Sequence, residues 1–69
     1  MKKTTRNYIL KEFNSNGEET QKSDTFPASS LARAKQLSSK LQKVKGSRLE
    51  LYNLGRLIAF RDGIKWEVL

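Results

Sequence analysis

The chain has 69 residues, a formal net charge of +7, and neither cysteine nor histidine. A domain of this size buries only about 60% of its unfolded surface, so its core is small and its stability marginal. The absence of thiol and imidazole groups excludes disulfides, the usual zinc sites, and Cys- or His-based catalysis. We therefore expect a protein that is not an enzyme, with no catalytic residues, no cofactor and no metal.

The excess positive charge is concentrated in one segment, between Asp24 and Glu50, which contains no acidic residue. Its six basic residues are Arg33, Lys35, Lys40, Lys43, Lys45 and Arg48. The sequences on either side are nearly balanced in charge. A segment of one sign predicts a polyanion or an acidic protein surface as the partner.

The first predicted element is a β-hairpin. Residues 4–13 are rich in β-formers, and the Asn16-Gly17 pair predicts a type I′ turn. The return strand, predicted over residues 18–26, is polar and typical of a short edge strand. We expect residues 1–4 to form a disordered arm.

The second predicted element is a helix over residues 28–45. Pro27 suits a helix start, and Gly46 suits the position just after a helix end. Apolar residues at three- and four-residue intervals predict one buried stripe, formed by Leu31, Ala34, Leu37, Leu41 and Val44.

Three further strands are predicted over residues 48–52, 56–60 and 64–69. A three-residue loop, 53–55, places Gly55 at a left-handed position, and Asp62-Gly63 predicts a type I′ turn. This register gathers an apolar sheet face for the helix, formed by Leu49, Leu51, Leu57, Ala59, Ile64, Trp66 and Val68.

The predicted fold is therefore α+β. Residues 1–69 form one small domain of the order β-β-α-β-β-β, an antiparallel sheet with one helix packed on one face. The apolar runs are too short for a signal peptide or a transmembrane helix. We expect a cytoplasmic protein with no membrane partner.

The basic segment provides the first set of candidate site residues, for nucleic acid: Arg33, Gln36, Lys40, Lys43, Lys45 and Arg48. Spacings of three and four residues place most of them on one helix face. Such a stripe can follow a phosphate backbone, and glutamine can bond phosphates or base edges. The alternative is an ordinary solvated helix face, although such a face usually mixes charges of both signs. Both DNA and RNA remain candidate partners.

The uncovered sheet face provides a second set: Tyr52, Arg56, Ile58, Phe60 and Lys65. Aromatic rings among cations are typical of a stacking platform for single-stranded bases. An apolar centre with a charged rim is equally typical of a protein interface, including a homodimer interface. These residues are also ordinary β-formers on a half-exposed sheet.

Our main hypothesis is a small basic module that binds nucleic acid through the cationic helix stripe. The alternative is a protein-interaction module that uses the open sheet face, or the basic helix on an acidic partner. Such a module would be an inhibitor, an adaptor or a homodimer, of the kind that a bacteriophage or prophage encodes.

Overall fold

The computed structural model describes residues 5–69. Its elements are β1 (Arg6–Phe13), β2 (Asp24–Ala28), α1 (Leu31–Leu41), β3 (Arg48–Asn53), β4 (Arg56–Asp62) and β5 (Trp66–Val68). The strands form one antiparallel sheet in the order β2-β1-β3-β4-β5, and α1 packs on one face. The predicted α+β class and element order are confirmed. The arm predicted over residues 1–4 lies outside the described residues.

The core lies between α1 and the sheet. Leu49, Leu51 and Ala59 are fully buried on the predicted sheet face, and Ala34 of α1 is fully buried too. Strand β1 adds two further buried residues, Tyr8 and Leu10, and the side chains of Leu31, Leu37 and Leu41 pack against this cluster. Within residues 5–69, the helix is too short to span a membrane.

The first hairpin differs from its prediction in the turn. Gly17 has a positive φ of 81°, whereas a type I′ turn would require a positive φ at Asn16 as well. The Asn14 side chain shapes the turn instead, because its Oδ1 accepts hydrogen bonds from the N–H groups of Asn16 and Glu18.

The return strand also starts later than the predicted 18–26. After an isolated bridge between Phe13 and Glu19, the chain leaves the sheet and rejoins it at Asp24, opposite Leu10. Four residues of the return arm thus face only two residues of β1. The side chains in this outward bend turn back toward β1, as described below.

Helix α1 is shorter at both ends than the predicted 28–45. Pro27 does not start the helix but lies in β2, opposite Asn7, where an edge strand tolerates proline. The cap is Ser30, whose Oγ accepts a hydrogen bond from the Arg33 N–H at 3.2 Å. At the other end, Val44 does not extend the apolar stripe, since it is 42% exposed.

The connection between β3 and β4 is a two-residue turn rather than the predicted loop 53–55. Leu54 and Gly55 have φ values of 55° and 76°, the pattern of a type I′ turn. A β-bulge follows at Ile58, which keeps Leu51 on the core face. Ile58, predicted on the open face, is partly buried and packs against the buried cluster.

The last turn is longer than the predicted Asp62-Gly63 pair. Trp66 pairs with Arg61, and residues 63–65 connect the ends of β4 and β5. Ile64, predicted to face the core, is 96% exposed in this connection. The register moves by two residues, which preserves the predicted face for Trp66 and Val68. Val68 is nevertheless 56% exposed, because α1 packs most closely over β2 and β3.

Candidate functional site

A buried carboxylate lies beneath the end of α1. Glu12 is fully buried and lies on the same face of β1 as Leu10, opposite Leu49 of β3. Its role was not predicted from the sequence. The only signal was the period-two alternation of Tyr8, Leu10 and Glu12, which places all three side chains on one face of a strand.

Five groups donate hydrogen bonds to this carboxylate. The backbone N–H groups of Lys43 and Val44 approach to 3.1 and 2.9 Å. The Thr20 hydroxyl and the Gln21 amide, both in the outward bend before β2, donate at 2.6 and 2.7 Å. The Ser47 hydroxyl is the fifth donor. The carboxylate therefore joins three segments that are distant in sequence.

These hydrogen bonds keep Glu12 ionised. Burial alone would raise the pKa of Glu12, but the hydrogen bonds from Ser47, Thr20 and the backbone N–H groups of Val44 and Lys43 outweigh it and lower the pKa to about 2. Within residues 5–69, no side-chain nitrogen of a lysine or arginine lies within 4.0 Å of this carboxylate. In the described part of the chain, uncharged hydrogen-bond donors therefore stabilise the negative charge of Glu12.

The network continues from Ser47 to strand β4 on the same face of the sheet. The Gln42 amide donates to the Val44 carbonyl at 2.9 Å and to the Ser47 hydroxyl at 3.1 Å, and its oxygen accepts from Arg61. The Arg61 guanidinium lies 5.8 Å from the centroid of the Trp66 ring. Residues 42–47, which we call the basic loop, are thereby bonded to both β1 and β4.

Helix α1 and the basic loop carry most of the predicted nucleic-acid-binding residues. Arg33, Gln36 and Lys40 are exposed on one face of α1, and Arg33 Nη1 donates to Gln36 Oε1 at 3.2 Å. Lys43 and Lys45 were predicted in the last helical turn but lie beyond the helix end, exposed in the basic loop. The cationic surface thus consists of a helix face and the loop that follows it.

Arg48 is not brought together with these residues. It lies on the face of the sheet opposite α1, where its Nε is 2.9 Å from Glu50 and its Nη1 is 3.6 Å from Asp62. Its guanidinium also lies 4.5 Å from the centroid of the Phe60 ring. Arg48 is therefore neutralised by its neighbours on the open face.

The cations on the other side have no such neighbours. Both ion pairs found within 4.0 Å among residues 5–69 involve Arg48. No carboxylate oxygen of the described residues lies at that distance from the five cations of α1 and the basic loop, which are Arg33, Lys35, Lys40, Lys43 and Lys45. This helix-and-loop surface is therefore strongly one-signed.

The open face has a different character. Tyr52 and Phe60 are half-buried there, and the Lys11 ammonium lies 5.0 Å from the centroid of the Tyr52 ring. The Tyr52 hydroxyl donates to Glu50 at 2.6 Å, and this hydrogen bond, with burial and the nearby negative charge, raises the pKa of Tyr52. On this face, cations thus already lie against the Tyr52 and Phe60 rings, and the Tyr52 hydroxyl already bonds a carboxylate.

The remaining predicted residues of the open face lie at its margins. Arg56 is exposed at the first position of β4, and Lys65 is exposed in the turn before β5. Strand β1 contributes residues that the sequence analysis missed, because it did not fix the strand order: Ile9, Lys11 and Phe13 face Tyr52, Glu50 and Arg48 respectively.

No protein-family model, curated protein or solved structure matches the chain. Within residues 5–69, no three acidic side chains gather closely enough to hold a metal ion. The surfaces themselves are therefore the basis for a functional proposal.

Proposed function

We propose that the protein is a non-enzymatic module that binds nucleic acid through α1 and the basic loop. The observation that carries this proposal is the set of five cations on that side of the domain that have no carboxylate oxygen within 4.0 Å among residues 5–69. Lys and Arg side chains that contact phosphates release condensed counterions, which favours binding to a polyanion. Gln36, between Arg33 and Lys40 on the same face, supplies a neutral hydrogen-bonding group.

The dimensions of the surface suit a nucleic-acid backbone. The 11 residues of α1 extend over about 16 Å, and the basic loop continues from its end. Phosphates along one strand of a duplex rise by about 3.4 Å each, so several lie within the length of the surface. Glu12, the carboxylate bonded to the loop, is buried and bonds the backbone N–H of Lys43. In the described part of the chain, the Lys43 ammonium group has no carboxylate oxygen within 4.0 Å.

A second candidate function is protein binding through the open sheet face. Base stacking there would require the Tyr52 and Phe60 rings to lose the cations that lie against them. A flat face with charges of both signs, paired within the face, suits a protein partner better. An open cleft of about 530 Å³ beside Phe13 and Arg48 gives space for a partner's side chain.

The test of the main proposal is a binding titration with random single- and double-stranded DNA and RNA at low and moderate salt. We expect affinity to fall steeply with salt, and Lys40→Ala and Lys43→Ala each to lower the slope of log K against log salt by about 1. Lys65→Ala is the matched control. It removes the same charge from an exposed turn outside the proposed surface, and its slope should equal that of the wild type.

Two outcomes would contradict the proposal. The first is a lack of binding to all four nucleic acids even at low salt. The second is an equal loss for Lys40→Ala and Lys65→Ala, which would show that net charge rather than this surface determines affinity. For the second candidate, mass in solution at high micromolar concentration distinguishes a homodimer from a monomer, and Phe60→Ala should weaken a dimer formed through the open face.

A further inference from the structure

We propose that Glu12 is a positioning residue for the nucleic-acid-binding surface, because its buried carboxylate fixes the backbone of the basic loop that carries Lys43 and Lys45. This inference rests on the proposed function. It adds a residue that faces the core, on the strand beneath the helix end, to a surface otherwise formed by exposed cations.

The basic loop has few other anchors. Lys43, Val44 and Lys45 are all exposed, so the middle of the loop is not held by burial of apolar side chains. Its backbone leaves the helix at Gln42, whose ψ of 128° is not helical. The next two N–H groups would remain without helical partners, and both donate to Glu12.

The hydroxyl of Ser47 anchors the other end of the loop on the same carboxylate. Gln42 connects both ends from within, because its amide reaches the Val44 carbonyl and the Ser47 hydroxyl. The path of the loop is thus defined by three hydrogen bonds to one carboxylate, by the two from Gln42, and by the Ser47 N–H, which donates to the Val44 carbonyl at 3.2 Å. An apolar side chain at position 12 would offer no acceptor to the three loop donors that bond Glu12.

The carboxylate lies in a polar environment. Burying a charge without a basic partner is costly unless several donors hold it, and five donors do so here. What the carboxylate alone provides is an acceptor for several donors at once. That property serves the geometry of the basic loop.

The sign of the expected effect separates positioning from simple charge. Glu12→Gln raises the net charge by one, so a purely electrostatic role predicts tighter binding to a polyanion. Positioning predicts weaker binding, because an amide cannot accept from all five donors and the lysines lose their fixed spacing. Glu19→Gln is the matched control, since it makes the same charge change at an exposed side chain.

The experiment combines amide hydrogen exchange with the salt titration of binding. For Glu12→Gln we expect faster exchange at Lys43 and Val44, with protection in β3 and β4 retained. We expect weaker binding and a salt slope lowered by about 1 to 2, as if both loop lysines were lost. In the background of a Lys43→Ala, Lys45→Ala double variant, Glu12→Gln should have little further effect on affinity. Glu19→Gln should retain the wild-type exchange and bind as well as the wild type or better.

Ser47→Ala serves as a second variant if Glu12→Gln does not fold. It leaves the net charge unchanged and removes one donor to the carboxylate, so exchange at Val44 should rise and affinity should fall by a smaller factor. A merely destabilising substitution would weaken binding equally with and without the two lysines. That additive result would overturn the inference.

The failures of the two proposals are distinguishable. Unchanged exchange at Lys43 and Val44 in Glu12→Gln overturns the claim that Glu12 fixes the loop, whatever binds. Faster exchange with unchanged or tighter binding overturns its positioning role while the proposed function stands. A wild type that binds no nucleic acid overturns the proposed function and, with it, the positioning role.

Discussion

The backbone N–H of Lys43 lies 3.1 Å from each oxygen of the Glu12 carboxylate, although the two positions are 31 residues apart. This contact closes the end of α1 over β1. It also explains why the helix ends at Leu41, because the following N–H groups of Lys43 and Val44 bond the carboxylate instead of helical carbonyls. One buried acid therefore determines both a helix boundary and the course of the basic loop.

The pH dependence of stability should reveal this buried acid. The pKa of Glu12 is lowered from 4.5 to about 2 in the folded protein, so the ionised form stabilises the fold above pH 4.5. That contribution, about 3 kcal/mol at most, is lost as the pH falls toward 2. Urea unfolding of the wild type between pH 7 and pH 2 should show the decline.

Glu12→Gln is the comparison for this measurement. It should be less stable than the wild type at pH 7, and the difference should shrink as the pH falls below 4.5. A constant difference between the two proteins across this range would show that the Glu12 carboxylate is not held as the structure indicates. Glu19→Gln, which changes an exposed carboxylate, should follow the wild type.

Loss of the helix cap should be measurable in the same assay. Ser30→Ala removes the side chain that accepts from the Arg33 N–H, and we expect a loss of about 1 kcal/mol in the free energy of unfolding. The matched control is Ser29→Ala, at an exposed position before the cap, where the change should stay within about 0.5 kcal/mol. Equal effects at both positions would refute the assignment of the cap.

The turn between β3 and β4 should be open to stabilisation. Leu54 is 95% exposed and has a φ of 55°, a left-handed conformation that asparagine adopts more readily than leucine. Leu54→Asn should therefore raise the free energy of unfolding by about 0.5 to 1 kcal/mol. Thermal unfolding provides the measurement, and a lower melting temperature for the variant would contradict this conformation.

Gly55→Ala tests the same turn in the opposite direction. A Cβ at Gly55 would meet no atom within 4 Å, so any loss of stability reports the φ of 76° alone. We expect a loss of about 1 kcal/mol. An unchanged melting temperature would mean that the turn does not require a left-handed residue here.

The open face should respond to a change at Glu50. The hydrogen bond to Glu50, together with burial, raises the pKa of Tyr52, so Glu50→Gln should lower that pKa toward its ordinary value. Ultraviolet titration of the phenol measures this shift, provided that the Tyr8 signal is assigned with a Tyr8→Phe variant. An unmoved Tyr52 titration in Glu50→Gln would contradict the contact.

The helix and the main apolar sheet face follow directly from local patterns in the sequence. The stripe of Leu31, Ala34, Leu37 and Leu41 and the alternation of Leu49 and Leu51 were sufficient to predict how α1 packs on the sheet. The lengths of the turns, and therefore the strand registers, were harder to predict from the sequence. Leu54 is a poor residue for a left-handed position, so propensity favoured the three-residue loop, and the bulge at Ile58 that compensates has no sequence signature.

The hydrogen bonds of five donors to Glu12 could not be predicted from local patterns in the sequence. Glu12 lies eight and nine residues from Thr20 and Gln21, and 31 to 35 residues from its donors in the basic loop. Its position on the core face of β1 conflicts with the usual preference for exposed glutamate. Only the assembled tertiary structure shows that Lys43 and Lys45 belong to a loop anchored on this acid. The surrounding run of cations, by contrast, is visible in the sequence itself.

The most direct test of the nucleic-acid-binding surface is a map of amide chemical-shift changes as short single-stranded and double-stranded oligonucleotides are added, in separate titrations, at low salt. Binding as proposed should shift the amides of Arg33, Gln36, Lys40 and residues 43–45, and leave those of Tyr52 and Phe60 unmoved. Shifts confined to the open sheet face, or no shifts at all, would contradict the account.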